Sequence, residues 1–345
     1  MIIIDGSIGG GQLLRTAIGL SALTSKPVKI IDIRKGKKGG KPGLRPQHLM
    51  GIKVLGEFCK AEIKGLEESS LEVEFTPKEF KVCDRRIDIG TAGSIGLLLQ
   101  TITPLLIFND KPITLEIIGG TETRWSPTIQ YIKYVTYPIL NMMGTDLSLD
   151  IIKHGYYPKG GGKVIVRSKP TKKLIPFNRL DRGDILNIQI YSVCGSLPKD
   201  IAERQGRSAL RTIQYHYPNT EVFMSYKSVE SLSPGTSITC YAVCENSILG
   251  GDCLGERGVR AEIVGEKAAE ELLKSLKSGA ALDKFMADQI LVFLALAKGE
   301  SRIKVEEITD HCRTNIQVIE EILPVEFKVD KDKREISVEG IGFKA

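Results

Sequence analysis

Apolar and polar positions along the chain follow one pattern three times: a loop, an apolar helix, a strand, a second helix and another strand. An apolar period near 3.6 residues predicts the helices, and short apolar runs between turn residues predict the strands. The predicted first helices span residues 12–23, 95–106 and 290–297, the strands after them span 28–33, 113–118 and 302–305, and the second helices begin at Pro46, Ser126 and Asp310.

Any α/β protein alternates helices and strands, so the pattern alone does not establish a repeat. A gapless alignment favours one, because it matches residues of the same kind outside the apolar positions. With Lys26-Pro27 placed on Lys111-Pro112, it pairs Gly11 with Gly96, Arg15 with Gln100 and Thr16 with Thr101. Three similar units around a common axis would bring the loops before their helices toward one centre. Polar groups far apart in sequence would then share a cleft.

The second and third copies are separated by a long additional segment. Residues 168–184, with Pro170, Pro176 and Gly183, are predicted to form a linker. A strand-helix-strand pattern follows at 185–193, 199–215 and 221–225, then a strand at 237–243 and a helix at 261–276, and Gly279 closes the segment. We therefore predict a mixed α/β (α+β) fold. Residues 1–180 and 279–345 would form a large domain of three βαβαβ-type units, and residues 181–278 a smaller inserted α/β domain.

Composition limits the classes of protein that fit. With 42% hydrophobic and 26% charged residues, and without a long apolar run, the chain is not expected to associate with a membrane. Residues 1–5 are too short for a signal peptide, and the seven cysteines are scattered without paired CxxC clusters, so we expect a cytoplasmic protein with reduced thiols. The net charge of +6 favours an anionic partner.

The basic residues are concentrated between positions 34 and 45, a glycine-rich stretch without acidic residues. A flexible cationic loop of this kind can bind a phosphate backbone, and it can also be simply a solvated surface. Arg15 lies one turn into an apolar helix, where a guanidinium is costly to bury unless it meets an anion. A protein carboxylate and a phosphate are equally suitable partners at this point.

Histidine is scarce, with four in 345 residues, and His311 is the best candidate for chemistry. Asp310 is predicted to cap a helix, so His311 would project from its first turn, where unpaired N–H groups favour phosphate. An exposed polar residue in a helix first turn is the simpler alternative. His48, His154 and His216 are expected to be structural or surface residues, and the carboxylates and histidines show no metal-ligand spacing.

Taken together, these residues resemble the RNA 3'-terminal phosphate cyclases. The motifs that carry the resemblance are Asp5-Gly6-Ser7, Gly9-Gly10-Gly11-Gln12 with Arg15, Pro42-Gly43-Leu44-Arg45-Pro46-Gln47-His48, Gly90-Thr91-Ala92-Gly93-Ser94, Gly119-Gly120-Thr121, His154-Gly155-Tyr156-Tyr157-Pro158, Leu254-Gly255-Glu256-Arg257-Gly258, Ala287-Asp288-Gln289 and His311. The resemblance implies repeated units like the C-terminal domain of a bacterial translation initiation factor, with a small inserted domain.

The implied reaction converts an RNA 3'-phosphate to a 2',3'-cyclic phosphate at the expense of ATP. His311 would take AMP from ATP, and a divalent cation, Mg²⁺ or Mn²⁺, would accompany the triphosphate, with ligands that the sequence does not assign. The implied ATP-binding residues are Gln100, Pro127, Phe285, Met286, Ala287, Asp288 and Gln289. The implied phosphate- or RNA-binding residues are Gln12, Arg15, Arg34, Lys37 and Gln47. The partners are RNA with a 3'-phosphate end and ATP, and the oligomeric state is not predicted.

Three positions depart from the family's pattern. Ile8 precedes Gly9 where the family usually has Gly-Glu, Lys37 stands for a second arginine, and Phe285 often corresponds to tyrosine. A non-catalytic cyclase-like protein that binds RNA or assists ribosome assembly is the alternative that the lost glutamate favours, and the retained His311 argues against it. Enolpyruvyl transfer is a further alternative, suggested by repeated units alone.

Overall fold

The computed structural model describes residues 1–36, 41–90 and 92–344. Its first unit packs two helices on a small mixed sheet with strand order β1-β2-β4-β3. Strand β1 is parallel to β2, which pairs antiparallel with β4, and β3 lies at the edge. The elements are β1 (Ile2–Asp5), α1 (Gly11–Thr24), β2 (Val28–Ile31), α2 (Pro46–Cys59), β3 (Glu62–Lys64) and β4 (Val73–Thr76).

The second unit repeats this topology with the order β5-β6-β8-β7. Its second helix begins at Ile129, capped by the Thr128 hydroxyl, and not at Ser126 as predicted, so Pro127 lies in the loop before it. The elements are β5 (Arg85–Asp88), α3 (Ile95–Ile107), β6 (Ile113–Gly119), α4 (Ile129–Tyr131), a π-helical turn (Ile132–Thr136), α5 (Tyr137–Met142), β7 (Asp146–Lys153) and β8 (Gly162–Lys169).

The predicted linker at 168–184 is ordered and partly a strand. Leu174 and Phe177 are buried, and β9 (Asn178–Arg179) joins the third sheet by pairing in parallel with β14 (Lys298–Lys304). The additional segment follows β9, which is the first strand of the third sheet in chain order. It forms a four-stranded sheet with two helices: β10 (Ile185–Gly195), α6 (Lys199–His216), β11 (Val222–Val229), β12 (Gly235–Cys244), β13 (Ile248–Leu254) and α7 (Ala261–Ser278). Strand β13 was not predicted, because Gly250 and Gly251 interrupt its apolar pattern.

The third unit closes with the order β15-β16-β14-β9, and its directions match those of the other two. Helix α8 begins at Lys284, capped by Asp283, so Asp288 and Gln289 lie within the helix and not in front of it as predicted. The elements are α8 (Lys284–Leu296), β14 (Lys298–Lys304), α9 (Asp310–Ile322), β15 (Phe327–Asp330) and β16 (Glu335–Ile341).

The mixed α/β class is confirmed, and the three sheets each have one strand more than the predicted βαβαβ unit. The likeness to a translation-factor domain and the domain boundaries at 180/181 and 278/279 stay predictions. One hydrophobic core spans the three units, and a second is built from residues between Ile188 and Leu276. The first helices α1, α3 and α8 meet in the large core, so their polar residues are brought together.

Candidate nucleotide and phosphate site

His311 is the second residue of α9 and is exposed. Thr309, and not Asp310 as predicted, caps this helix, because the Thr309 backbone is extended and its hydroxyl accepts the Cys312 N–H at 3.1 Å. Asp310 is the first helical residue and accepts a hydrogen bond of 2.7 Å from Arg313. His311 therefore lies in the first turn of a helix, as predicted. It is one residue further from the cap than expected, because the cap is Thr309.

Asn315 connects helix α9 to helices α1 and α8. Its side chain is buried one turn after His311. The Thr16 hydroxyl of α1 donates to Asn315 Oδ1 at 2.8 Å, and Asn315 Nδ2 donates to the Asp288 carbonyl of α8 at 2.9 Å. Sequence reasoning missed Asn315. Its signal was a residue unfavourable in helix interiors, placed four residues after the histidine.

The glycine loop lies between the starts of α9 and α2. A Cβ at Gly9 would crowd the Thr314 side chain, and one at Gly11 would collide with His48 Nε2, so both positions need glycine. His48 is buried and its Nδ1 accepts the Arg45 N–H at 3.1 Å. At the front of the loop, Asp5 accepts the Ser7 N–H at 2.8 Å.

Arg15 has both a carboxylate nearby and unused capacity for hydrogen bonding. Its Nη2 donates to Gln12 Oε1 at 2.5 Å. Burial lowers the pKa of the Arg15 guanidinium to about 10, and the charge of Asp288 opposes that shift. Burial raises the pKa of Asp288 to about 7, against the attraction of Arg15. Because Arg15 Nε makes no hydrogen bond to the described residues, the guanidinium can still receive an anion.

Arg15 of α1, Gln100 of α3 and Gln289 of α8 line one cavity of about 40 Å³. Each leaves a buried atom without a hydrogen-bond partner in the described part of the chain, namely Arg15 Nε, Gln100 Oε1 and Gln289 Oε1. Buried polar atoms are rarely left unpaired, so these three mark a place for water or ligand atoms. The enclosed volume fits about one water, so a whole nucleotide would lie at its mouth.

Arg34 presents a second guanidinium whose Nε and Nη1 have no hydrogen-bond partner among the described residues. Its backbone is left-handed, with φ of 58°, and its N–H donates to Gly6 at 3.0 Å. Burial and the positive charge of Arg45 both lower the pKa of Arg34. Gln47 is exposed and shares a small cavity with Arg15. The predicted phosphate ligand Lys37 lies outside the described residues.

The buried Tyr131 connects the segment that carries Pro127 to the start of α8, which carries Phe285. Tyr131, four residues after Pro127, donates to Asp283 Oδ1 at 2.6 Å, and its ring meets the ring of Phe285 edge-on at 6.3 Å. Phe285 is 40% exposed, and Lys284 Nζ lies 5.0 Å from the centre of its ring, so a base would stack on the opposite face. Met286 and Ala287 are fully buried, and their N–H groups already bond to Asp283, so they support the helix start beneath Phe285.

In the described residues no cluster of three or more histidine, cysteine or acidic side chains has a geometry for a metal ion. Within the same ranges, none of the helices is both long and apolar enough to cross a bilayer. The site is thus built from guanidinium, amide and backbone groups together with Asp288. These are the groups that bind phosphates and nucleobases.

Comparison with known proteins agrees with this geometry. The family model for RNA 3'-terminal phosphate cyclase matches residues 7–329. A protein of Pyrobaculum aerophilum named RNA 3'-terminal phosphate cyclase is 41% identical, with 99% of this chain and 98% of the relative covered. Proteins of the same name from Ignicoccus hospitalis and Staphylothermus marinus are 42% and 44% identical, covering 94% of this chain and 93% and 92% of the relatives. The chain belongs to the RNA 3'-terminal phosphate cyclase family.

Proposed function

We propose that this protein uses ATP to convert an RNA 3'-terminal phosphate to a 2',3'-cyclic phosphate, with His311 as the residue that accepts AMP. The supporting observation is the buried side chain of Asn315. It bonds α9, one turn after His311, to α1 beside Arg15 and to α8 at Asp288. The histidine is thereby held on the same group of helices as the Arg15 guanidinium, and nucleotidyl transfer needs both a nucleophile and a cation near the phosphate.

The reaction would consist of three transfers at phosphorus. The neutral imidazole of His311 attacks the α-phosphorus of ATP, forming a P–N bond and releasing pyrophosphate. An oxygen of the RNA 3'-phosphate then attacks the histidine-bound AMP, which frees the imidazole and gives RNA(3')pp(5')A. Finally the adjacent 2'-hydroxyl attacks the RNA phosphorus and expels AMP. The last step benefits from proximity, since nucleophile and target share one ribose.

The site residues can be given roles that their geometry supports. Arg15 and Arg34 would bind phosphate oxygens through the guanidinium nitrogens that lack partners among the described residues, and Gln47 would assist at the exposed side. Adenine would stack on Phe285 with Pro127 on its other face. Gln100, Asp288 and Gln289 would bind the nucleotide at the mouth of the cavity, supported by Met286 and Ala287, with Gln12 holding Arg15 in place.

A divalent cation, Mg²⁺ or Mn²⁺, is implied by the family. The described residues offer no site that fits it, since they contain no ligand cluster and Ile8 stands where the family usually has glutamate. Asp5, the acidic residue nearest to these glycines in sequence, already accepts a hydrogen bond from the Ser7 N–H. We therefore derive no step through a metal. The participation of the protein in RNA processing and its cytoplasmic location also stay predictions.

Labelling with ATP that carries a radioactive α-phosphate tests the proposal. We expect acid-labile label on the wild-type protein, and cyclisation of an oligonucleotide with a 3'-phosphate. Both should be lost in His311→Ala and retained in His216→Ala, a matched change at the exposed end of α6. Wild-type and His311→Ala proteins that bind RNA equally, without label or product, would instead establish the non-catalytic alternative.

A further inference from the structure

The inserted sheet β10–β13 has one face that the two helices α6 and α7 cover and one that they do not. Side chains alternate along a strand, so Ile188 and Ile190 of β10 belong to the core beneath the helices. Tyr191 in β10 and Tyr241 in β12 therefore lie on the opposite face. They occupy diagonal positions on paired antiparallel strands, because Tyr191 aligns with Thr239 and Gln189 with Tyr241.

The second unit covers this opposite face only in part. The ring of Tyr134, from the π-helical turn, stacks on Tyr241 at 5.2 Å and 7°, and meets Tyr191 at 5.9 Å. We call Tyr134, Tyr191 and Tyr241 the tyrosine platform. Beyond it β11 is the edge strand of the sheet, and Phe223 on this face is 46% exposed. Each tyrosine of the platform is itself partly exposed.

Two lysine side chains lie against rings of the tyrosine platform. Lys227 Nζ lies 5.2 Å from the centre of the Tyr191 ring, and Lys133 Nζ lies 5.5 Å from that of Tyr134. Next to Lys227 is a cleft of about 500 Å³ between β7, β8 and β11, whose described lining holds the three lysines 153, 163 and 227 and one acidic residue, Glu230. Although Lys163 is paired with Glu116 at 3.1 Å, the surface combines aromatic rings with an excess of positive charge.

One short helical segment connects the platform with the proposed nucleotide site. Tyr131 contacts Phe285 in that site, and Tyr134, three residues later on the same helical segment, belongs to the platform. Positions three apart are neighbours on a helix surface, so the two aromatic clusters are close in space. The loop that carries Pro127 also reaches the cleft, because Glu122 in this loop contacts His154 at 3.3 Å, and His154 lines the cleft.

We propose that the tyrosine platform and the adjoining cleft bind single-stranded RNA on the 5' side of the reacting end. Aromatic rings that stack bases beside lysines that neutralise phosphates are the usual combination for such strands, and it suits RNA whatever its base sequence. The inserted module would thus hold the strand while the three-unit part carries out the reaction. This inference rests on the proposed RNA substrate, and it assigns a role to a surface outside the reaction site.

The test compares two RNA substrates that both end in a 3'-phosphate, a dinucleotide and a strand of about 12 nucleotides, within the length range of single-strand sites. Binding and cyclisation are measured for wild-type protein, Tyr191→Ala, Lys227→Ala and Tyr191→Phe. Tyr215→Ala is the matched control, because Tyr215 is an 83% exposed tyrosine on α6, away from the platform. A thermal melt of each variant checks that it folds.

We expect Tyr191→Ala to weaken binding of the longer strand by about 5- to 100-fold, the range for one lost base stack, and Tyr191→Phe to retain it. Lys227→Ala should weaken it and reduce its salt dependence. Dinucleotide cyclisation should be unchanged in all variants. If wild type, Tyr191→Ala and Tyr215→Ala bind the longer strand with equal affinity, the proposal is wrong. The tyrosine platform would then be available to another partner, such as a protein.

Failure of the proposed function gives a different result. If wild-type protein cyclises neither RNA, the cyclase proposal is overturned, and the binding series alone still decides about the platform. If all variants cyclise both RNA substrates and bind the longer strand like wild type, the proposed reaction stands and the proposed RNA-binding role of the tyrosine platform is wrong. Melting of Tyr191→Ala near the wild-type temperature, with weak binding of the longer strand, supports the platform in either case.

Discussion

The hydroxyl of Thr16 donates a hydrogen bond of 2.8 Å to the side-chain oxygen of Asn315, across 299 positions of sequence. Both residues are buried. Thr16 follows Arg15, and Asn315 lies four residues after His311, so this one bond fixes the helix of the proposed nucleophile relative to the helix of the proposed phosphate ligand. A second bond from Asn315 to Asp288 adds α8 to the same arrangement.

Asn315→Ala should therefore impair both stability and reaction. Removing the amide leaves the buried Thr16 hydroxyl without its partner, which costs about 1–3 kcal/mol. The Asp288 carbonyl loses the bond from Asn315 but stays within helix α8. We expect a lower free energy of unfolding in urea, together with slower labelling of His311 by ATP under conditions where the variant is fully folded.

Gln317→Ala is a suitable control, because Gln317 lies on the exposed side of the same helix and bonds only to Glu321, at 3.4 Å, among the hydrogen bonds of the described residues. Labelling of folded Asn315→Ala at the rate of this control would show that the side chain stabilises the protein without positioning the histidine.

Arg15→Lys should separate charge from geometry. Lysine retains a positive charge but cannot donate in two parallel directions to a phosphate. A hydrogen bond to a charged group contributes about 1.5–3 kcal/mol, so we expect a fall of about ten- to a hundred-fold in kcat/KM for cyclisation. Arg85→Lys, at a surface ion pair with Glu57, provides the control. Equal kcat/KM in both variants would exclude bidentate binding by Arg15.

The helices were predicted better than the residues at their ends. The apolar period located α2 with the bounds that the structure gives, Pro46–Cys59. At α9 two neighbouring residues, Thr309 and Asp310, both favour the cap position, and only the pairing of Asp310 with Arg313 shows why threonine takes it. At α8 the acidic residue five positions earlier, Asp283, caps the helix, so Asp288 was assigned to the wrong side of its start.

The site was only partly accessible from sequence. The alignment paired Arg15 with Gln100 as evidence for a repeat, and in the structure both residues line one cavity. It did not reveal the bonds from Asn315 to Asp288 and from Tyr131 to Asp283, since the partners of a contact between distant segments cannot be predicted from a local pattern. Strand β3 was missed for a related reason: Glu62 and Lys64 are exposed, and three residues are too few to show a period.

The raised pKa of Asp288 predicts how stability depends on pH. Burial raises this pKa from 3.8 to about 7, so between these values the folded protein holds a proton that the unfolded chain has lost. The contribution of Asp288 to stability is thus complete below about pH 4, decreases as the pH rises, and is constant above about pH 7. Asp288→Asn, which cannot ionise, should gain stability over wild type as the pH increases.

Urea denaturation of wild type and Asp288→Asn at pH 5 and pH 8 checks this expectation. The difference in unfolding free energy should be larger at pH 8, because the wild-type carboxylate is then ionised beside few compensating groups. Asp146→Asn serves as the control, since Asp146 is a surface partner of Lys169. A difference that is the same at both pH values would show that Asp288 titrates normally in the folded protein.

Phe285 offers the last test, because its ring is the exposed apolar surface nearest the start of α8. Loss of one base stack costs about 1–3 kcal/mol, so Phe285→Ala should weaken ATP binding by about 5- to 100-fold, measured by calorimetry. Phe285→Tyr keeps the ring and should bind ATP at least as well as wild type. Phe223→Ala, on the edge strand β11, controls for loss of an exposed phenylalanine.

The same variant should remain stable. Tyr131 meets Phe285 only edge-on, at 6.3 Å, so the buried Tyr131 hydroxyl should keep its bond to Asp283 in Phe285→Ala, and the melting temperature should change little. A large fall in melting temperature with unchanged ATP affinity would instead make Phe285 part of the packing of α8 and remove it from the proposed nucleotide site.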